Sequence, residues 1–428
     1  MTKEACGGKL AYTGPLLVRL LRAENMPRLD LLSESDVFVN AELVPPGASV
    51  PIATATWPVK WDVANPIWDS VRVFGDAVPA ENSMLRLHFF DHDESNADDY
   101  IGTAECNVAR IGGGGREGTD VTLPVRLHKK IRPSATGLPT CTIRCEPMEQ
   151  YTGGGGGRRV IYVVRHGESV WNKAQSEKRF DVMLSDVDHP LNATGRAQAE
   201  ELRAALKSGG GPQAQELLQA DCILCSPLTR ALQTCLIGLE PLLLPVEQSA
   251  AGAGATKGHV VELNPNLREK RNAGGKDSSG KWTGDSLRDG VHRELMALLS
   301  DAPELGAALC SVPLEMAQVQ NRWWLGSKES SEHVLARISE LLSQIRFRRT
   351  AGACVLVGHS HYFRELFRHF AAPGCTLLDA GGDALPAEEM QGKKLSNAGI
   401  ARVELDFEAH PEAPVVSVQL LFHTRLMS

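Results

Sequence analysis

Four short segments of the chain carry residue types that can grip an anion and move a proton. Arg165-His166-Gly167-Glu168 follows the apolar run Val160–Val164, so an arginine and a histidine stand at the carboxyl end of a buried strand, the position where open α/β sheets build their ligand sites. Cys225-Ser226-Pro227-Leu228-Thr229-Arg230 also follows a short apolar run, and Val355-Leu356-Val357-Gly358-His359-Ser360 repeats the strand-then-histidine pattern. Between them, Asn266-Leu267-Arg268-Glu269 offers a carboxyl group. A planar guanidinium forks onto oxyanions, whereas lysine binds as a point charge. An imidazole beside such cations is kept neutral and is available as a nucleophile, and a carboxyl group can protonate a departing oxygen. A second set is acidic: Asp30 and Asp36 in one loop, and Asp91, Asp93 and Asp99 in a D-x-D-x5-D pattern ahead of Ile101-Gly102. Carboxylates at this density repel one another without a cation, and hard oxygen donors in irregular loops suit Ca²⁺ better than Mg²⁺.

The elements that must position these residues fall into two kinds. Upstream, the short β-like segments Leu16–Leu21, Val37–Leu43, Val71–Phe74, Leu85–Phe90 and Cys141–Cys145 alternate with Pro, Gly, Asn and Asp clusters, the pattern of an all-β antiparallel sandwich. Downstream, apolar strands alternate with amphipathic helical patterns at Thr194–Leu206, Thr229–Ile237, Leu287–Leu299 and Glu332–Ile345, which predicts an α/β three-layer domain with a parallel sheet. The glycine run Gly153–Gly157 suits neither helix nor strand and marks a flexible linker over 149–157. The expected domains are therefore residues 12–148 and 158–428.

At 428 residues the chain is long enough for two cores. Its formal net charge of -7 argues against a nucleic-acid binder, which would carry a basic stripe. Ten scattered cysteines, and no apolar signal after Met1-Thr2-Lys3-Glu4, predict reduced thiols in a cytoplasmic protein. Cys222 and Cys225 have C-x-x-C spacing within a predicted strand and read as buried thiols. The stretch Leu236–Val246 is interrupted by Gly238, Glu240 and two prolines, so membrane contact is expected to be peripheral.

The four segments, in this order, make residues 158–428 resemble the histidine phosphatase superfamily, also called the phosphoglycerate mutase-like fold. The resemblance implies phosphomonoester hydrolysis through phosphohistidine: His166 as nucleophile; Arg165, Arg230 and His359 as the core donors to the phosphoryl oxygens; Asn172 as a further phosphate-binding residue; and Glu269 as the acid that protonates the leaving group and later activates water. No metal is expected to be needed for catalysis. Phosphoglycerate mutases of this superfamily carry a tyrosine-glycine segment shortly after the acid, whereas this chain reads Glu269-Lys270-Arg271-Asn272-Ala273-Gly274. Hydrolysis is thus favoured over mutase activity, which stays as the alternative together with a calcium-dependent adaptor whose phosphatase domain is idle. The implied substrate is a phosphorylated small molecule or a phosphoprotein. Oligomeric state is left open.

The two acidic loops, with Asn65-Pro66-Ile67-Trp68 between them, make residues 12–148 resemble the C2 domain, a calcium-dependent lipid-binding sandwich. The resemblance implies Ca²⁺ held by Asp30, Asp36, Asp91, Asp93 and Asp99, and calcium-dependent association with a phospholipid membrane. Leu31 and Leu32, inside the first acidic loop, are the residues expected to enter the headgroup boundary. Val37 stands where these domains often have proline, and Glu94 where a basic residue often follows D-x-D.

Overall fold

Period-two hydrophobicity governs the first part of the chain. In the computed structural model, which describes residues 15–30, 33–74, 82–93, 97–108, 119–146, 157–209, 211–244, 259–271, 276–325, 329–350 and 352–428, that pattern becomes a two-sheet sandwich. Its strands are β1 (Leu16–Glu24), β2 (Val37–Val44), β3 (Ala53–Lys60), β4 (Ile67–Phe74), β5 (Met84–Asp91), β6 (Asp99–Asn107), β7 (Asp120–Pro124), β8 (Arg126–Leu127) and β9 (Thr140–Glu146). One sheet runs β4-β1-β9-β7 and the other β3-β2-β5-β6-β8, with every pairing antiparallel. Along β5, Leu85, Leu87 and Phe89 are buried in alternation and Asp91 continues the same parity, so the strand delivers a carboxylate to the rim of the apolar core. Trp57 donates its indole N–H to the Ser70 carbonyl at 3.0 Å, and Trp68 donates to the Pro58 carbonyl at 2.8 Å. Each bond joins a strand of one sheet to a strand of the other.

The second part switches to helical periodicity between apolar strands. Its nine-stranded sheet is built from β10 (Arg158–Arg165), β11 (Cys222–Cys225), β12 (Val261–Leu263), β13 (Leu314–Glu315), β14 (Cys354–Gly358), β15 (Ala371–Leu378), β16 (Ala384–Leu385), β18 (Ile400–Asp406) and β19 (Val415–Leu421), while β17 (Lys394–Leu395) pairs separately with β20 (Leu426–Met427). The order is β13-β12-β11-β14-β10-β18-β19-β15-β16. The run from β13 to β10 is parallel, and β18 then pairs antiparallel to β10. The helices that bear on the site are α1 (Val170–Ser176), α2 (Ala193–Lys207), α3 (Thr229–Gly238), α4 (Gly284–Leu298), α5 (Ser331–Arg346) and α6 (Ser360–Phe370). β11 and β14 are buried along their whole length, as a strand covered on both faces must be. The fold class is thus an antiparallel sandwich followed by an α/β domain.

The chain divides into two compact units, Met1–Gly156 with Ser339–Arg349, and Gly157–Ile338 with Thr350–Ser428. Leu31, Leu32 and linker residues 149–156 lie outside the described residues. Among the described residues the cysteines are free thiols, Cys222 and Cys225 both buried, and no helix is long and apolar enough to cross a membrane.

Candidate active site

The carboxyl ends of β10, β11 and β14 converge because these strands are neighbours in register: Arg165 pairs with Gly358, and Cys225 with Val357. The residues just beyond them, His166, Ser226 and His359, are all buried. Gly167 keeps the turn after β10 tight. A β-carbon there would stand 2.5 Å from the Gly195 carbonyl oxygen at the start of α2, closer than any real contact, so only glycine lets loop and helix meet. Arg230 enters from the first turn of α3 and is wholly buried. Asp188 anchors that turn by accepting from the Thr229 amide and hydroxyl, both at 2.8 Å.

Hydrogen bonding defines the tautomer of His166. Its Nδ1 lies 2.6 Å from the Gly167 carbonyl oxygen, which can only accept, and its Nε2 lies 3.3 Å from the Nε of Arg230, which can only donate. The proton is therefore on Nδ1, and Nε2 carries the lone pair that accepts from Arg230. Burial and the charges of Arg230 and Arg165 hold His166 well below the ordinary histidine pKa. The His359 ring is tilted against that of His166 with centroids 4.9 Å apart, and its Nε2 meets the Ser226 hydroxyl at 2.8 Å. That hydroxyl accepts from the Leu228 amide and keeps its own proton, so donating it to Nε2 leaves the His359 proton on Nδ1.

Three buried nitrogens of this group have no hydrogen-bond partner among the described residues: Arg165 Nε, Arg230 Nη1 and His359 Nδ1. Leaving such donors unsatisfied costs about 1–3 kcal/mol each, a cost that an oxyanion removes. Burial, partly offset by Glu269, lowers the Arg165 pKa to about 10, so its guanidinium stays charged at neutral pH.

Glu269 belongs with this cluster. It is 3 % exposed, its Oε1 accepts from the Lys270 amide at 2.8 Å and the Tyr362 amide at 3.1 Å, and its Oε2 accepts from the His361 amide at 3.4 Å. Burial raises its pKa against the pull of Arg230 and these amides. His361, Arg364 and Arg368 recur along α6: His361 takes a bond from Arg364 at 2.9 Å, and Arg368 turns away to Glu365 and the Gln391 carbonyl. Asn172 has a different local duty. Its side-chain oxygen accepts from the Ser169 amide and hydroxyl, closing the cap of α1. Trp323 and Trp324 pack edge to face, and Trp323 donates to the Trp282 carbonyl.

One residue of this neighbourhood escaped the sequence reading. Asp277 is buried, its carboxylate stands 3.1 Å from Arg230 Nη2, and its carbonyl accepts from the same nitrogen at 3.0 Å. Burial raises its pKa, with Arg230 opposing and Glu269 adding. No strand end or motif announces it, since it lies in a Gly-, Lys- and Ser-rich stretch.

At the acidic end of the sandwich, Asp36 directly precedes β2, whose Val37 pairs with Asp91, and Asp91 pairs in turn with Asp99. Asp91 Oδ1 accepts from the Asp36 amide at 2.5 Å, and Asp36 Oδ1 from the Asp62 amide at 2.7 Å. Burial pushes Asp36 up to about 6 against the Asp62 amide, with Asp91, Asp30 and Asp62 adding repulsion. Burial pushes Asp91 up to about 6 as well, and Asp30 and Asp93 contribute. Asp62, on the loop between β3 and β4, is thus a further carboxylate of this end. Asp99 is exposed at the start of β6. Among the described residues no group of three or more His, Cys, Asp or Glu side chains is arranged to hold a metal ion. The donors are nevertheless the hard oxygens that Ca²⁺ selects, and the raised carboxyls are what a cation would relieve.

These features define an antiparallel sandwich with an acidic loop end, together with an α/β domain whose parallel strands end in a buried cluster of two histidines and two arginines. Residues 161–287 match the histidine phosphatase superfamily (branch 1), and residues 14–123 match the C2 domain. The chain carries one domain of each family. Among solved structures it is similar to a C2 domain of plant extended synaptotagmin 1, with 19% identity over 32% of this chain and 96% of that chain, and a TM-score of 0.26. It is also similar to human GIVD cytosolic phospholipase A2, with 19% identity over 32% of this chain and 17% of that chain, and a TM-score of 0.24. A third is a C2 domain of RIM from Drosophila, with 14% identity over 23% and 88% of the two chains and a TM-score of 0.19. No curated protein matches the chain.

Proposed function

We propose that the α/β domain hydrolyses phosphomonoesters through a phosphohistidine on His166. The observation that carries this reading is the tautomer: Nδ1–H is bonded to the Gly167 carbonyl, so Nε2 carries the lone pair, which accepts only a 3.3 Å bond from Arg230 Nε and lies among buried donors. Nε2 attacks phosphorus in line, the P–O bond to the alcohol breaks, and Glu269 gives its proton to the departing oxygen. Arg165, Arg230 and His359 hold the phosphoryl oxygens as charge shifts onto them, the preorganised stabilisation that dominates such reactions. Glu269, now a carboxylate, takes a proton from water as the water attacks the phosphoenzyme. Inorganic phosphate leaves and His166 returns to its neutral Nδ1–H form. The raised pKa of Glu269 suits it to begin the cycle protonated. Asn172 is assigned a supporting phosphate contact through its amide nitrogen.

The sandwich, in the same proposal, binds Ca²⁺ through Asp30, Asp36, Asp91, Asp93 and Asp99. Bound calcium supplies positive charge that cancels the carboxylates and lets the loop end approach an anionic phospholipid surface. Incubation of purified protein with a generic phosphomonoester, followed by acid and base quenches, tests the chemistry. Wild type is expected to turn over and to trap an acid-labile, base-stable phosphoenzyme, and His166→Ala to do neither. A His166→Ala protein that still trapped phosphate would refute the assignment. Liposome sedimentation with calcium or chelator tests the membrane half, and pelleting that ignored calcium would overturn it.

A further inference from the structure

Behind Glu269 lies a charged network that the proposed cycle does not touch. Arg337, on α5, is 4 % exposed, and Glu329, just before that helix, is 6 % exposed. The Nη1 of Arg337 donates to the carbonyls of Asn266 at 2.6 Å and Arg268 at 2.8 Å. The second of these belongs to the peptide whose nitrogen is that of Glu269. Glu329 closes the other side: its Oε1 accepts from Arg268 Nη2 at 2.8 Å and from Arg337 Nε at 2.9 Å, and its Oε2 accepts from Arg337 Nη2 at 3.2 Å and from the Arg271 amide at 2.9 Å. Backbone groups before and after Glu269 are therefore tied to one ion pair. Arg337 also lies 4.6 Å over the ring of Tyr362, the residue whose amide holds Glu269 Oε1.

Burying three charges is expensive unless geometry repays it, and a hydrophobic plug would fill the same space. Burial opposes the charge on Glu329, yet Arg337 and Arg268 hold its pKa down to about 2, so Glu329 stays ionised across the working range. A guanidinium is the one side chain able to reach two carbonyls and a carboxylate from a single rigid fork. We infer that Arg337 and Glu329 are positioning residues that fix the loop 266–271 and so aim the Glu269 carboxyl at the leaving oxygen. The inference rests on the phosphomonoesterase reading above.

A merely structural role and a positioning role differ in which substrates suffer. Misplacing the acid slows esters whose alcohol needs a proton and spares those whose leaving group departs as an anion, whereas general damage to the pocket slows both. Arg337→Gln and Glu329→Gln are to be assayed with 4-nitrophenyl phosphate and with a simple alkyl phosphate, alongside Glu269→Gln. The expected result is a loss of kcat/KM, which reports transfer of phosphate to His166 and not the later attack of water, at least about tenfold larger on the alkyl ester than on the nitrophenyl ester, a part of the 10²–10⁴ that a placed acid contributes. Undiminished trapping of phosphoenzyme from the nitrophenyl ester and no further loss in Arg337→Gln/Glu269→Gln over Glu269→Gln are also expected. Glu329→Gln keeps the volume but sets an NH2 where one carboxylate oxygen accepts two bonds, so it loosens the network without emptying it and carries the test where Arg337→Gln does not fold. Equal losses of kcat/KM on both esters, or additive losses in the double variant, would overturn the positioning role. Failure of the reading beneath it would look different: a wild type that neither turns over a phosphomonoester nor traps phosphate, or a Glu269→Gln with no preference between the two esters.

Discussion

His166 and Glu269 are buried to similar degrees, yet burial moves them in opposite directions: it lowers the pKa of the imidazole and raises that of the carboxyl. Both shifts favour the forms in which the cycle begins. The pH dependence follows with its sign. His166 stays neutral well below the ordinary histidine pKa, so kcat/KM should hold on the acid side where an unperturbed histidine would already have charged. It should fall as pH rises through the raised pKa of Glu269, because the acid is then spent. In Glu269→Gln that alkaline fall should vanish, which a pH–rate series on an alkyl phosphate would reveal. Asp277 makes a separate expectation. Its carboxylate occupies Arg230, a guanidinium that an incoming phosphate needs, so Asp277→Asn should lower KM for small phosphomonoesters and leave kcat within a fewfold. A raised KM would mean that Asp277 orients Arg230 rather than competing for it. Arg230→Lys should lose about 10²–10³ in rate, since a point charge cannot replace the fork.

At the scale of elements, the site was legible wherever chemistry sits directly after an apolar run. Arg165-His166 after β10, Ser226 after β11 and His359 after β14 are read from the pattern because parallel strands in register end together. The helical patterns at Thr194–Leu206, Thr229–Ile237, Leu287–Leu299 and Glu332–Ile345 became Ala193–Lys207, Thr229–Gly238, Gly284–Leu298 and Ser331–Arg346. Strand β3 hid behind alanines, threonines and Pro58, and β15 behind Pro373 and Gly374, residues that weaken any strand signal and are tolerated where a strand irregularity admits them. Arg337 was hidden for a different reason. On an amphipathic helix a charged position reads as solvent-facing, and periodicity is blind to a buried partner supplied by Glu329. The contact between the β10 loop and α2 gives this scale its own test. A β-carbon at Gly195 would collide with the Glu168 carbonyl oxygen, so Gly195→Ala should force the two elements apart, destabilise the protein by about 1–3 kcal/mol and depress kcat by shifting His166. Chemical denaturation with a parallel assay checks both, and an unchanged protein would show that the approach is looser than drawn.

Across the whole molecule the two units have separate cores and gather different polar groups, one buried histidines and arginines and the other carboxylates. Asp36 and Asp91 both carry pKa values raised from 3.8 to about 6. A carboxyl raised in the folded state contributes stability that is fully present below about 4 and is lost as pH rises through about 6, because ionising it there costs more than in the unfolded chain. In chelator, the melting of the sandwich should therefore fall between pH 5 and pH 7.5. Asp36→Asn should raise its midpoint more at pH 7.5 than at pH 4, where little of the loss has set in. Calcium should reverse the loss in wild type at pH 7.5, since a ligand that binds only the folded form stabilises by about 2.7 kcal/mol when present at 100 times its Kd, and Asp36→Asn should blunt that response. Turnover of a soluble phosphomonoester should meanwhile be the same in calcium and in chelator, as the residues proposed for catalysis share no side chain with the acidic loops. A sandwich whose midpoint ignored calcium in both proteins would remove the proposed cation site. A turnover that required calcium would join two functions that this division keeps apart.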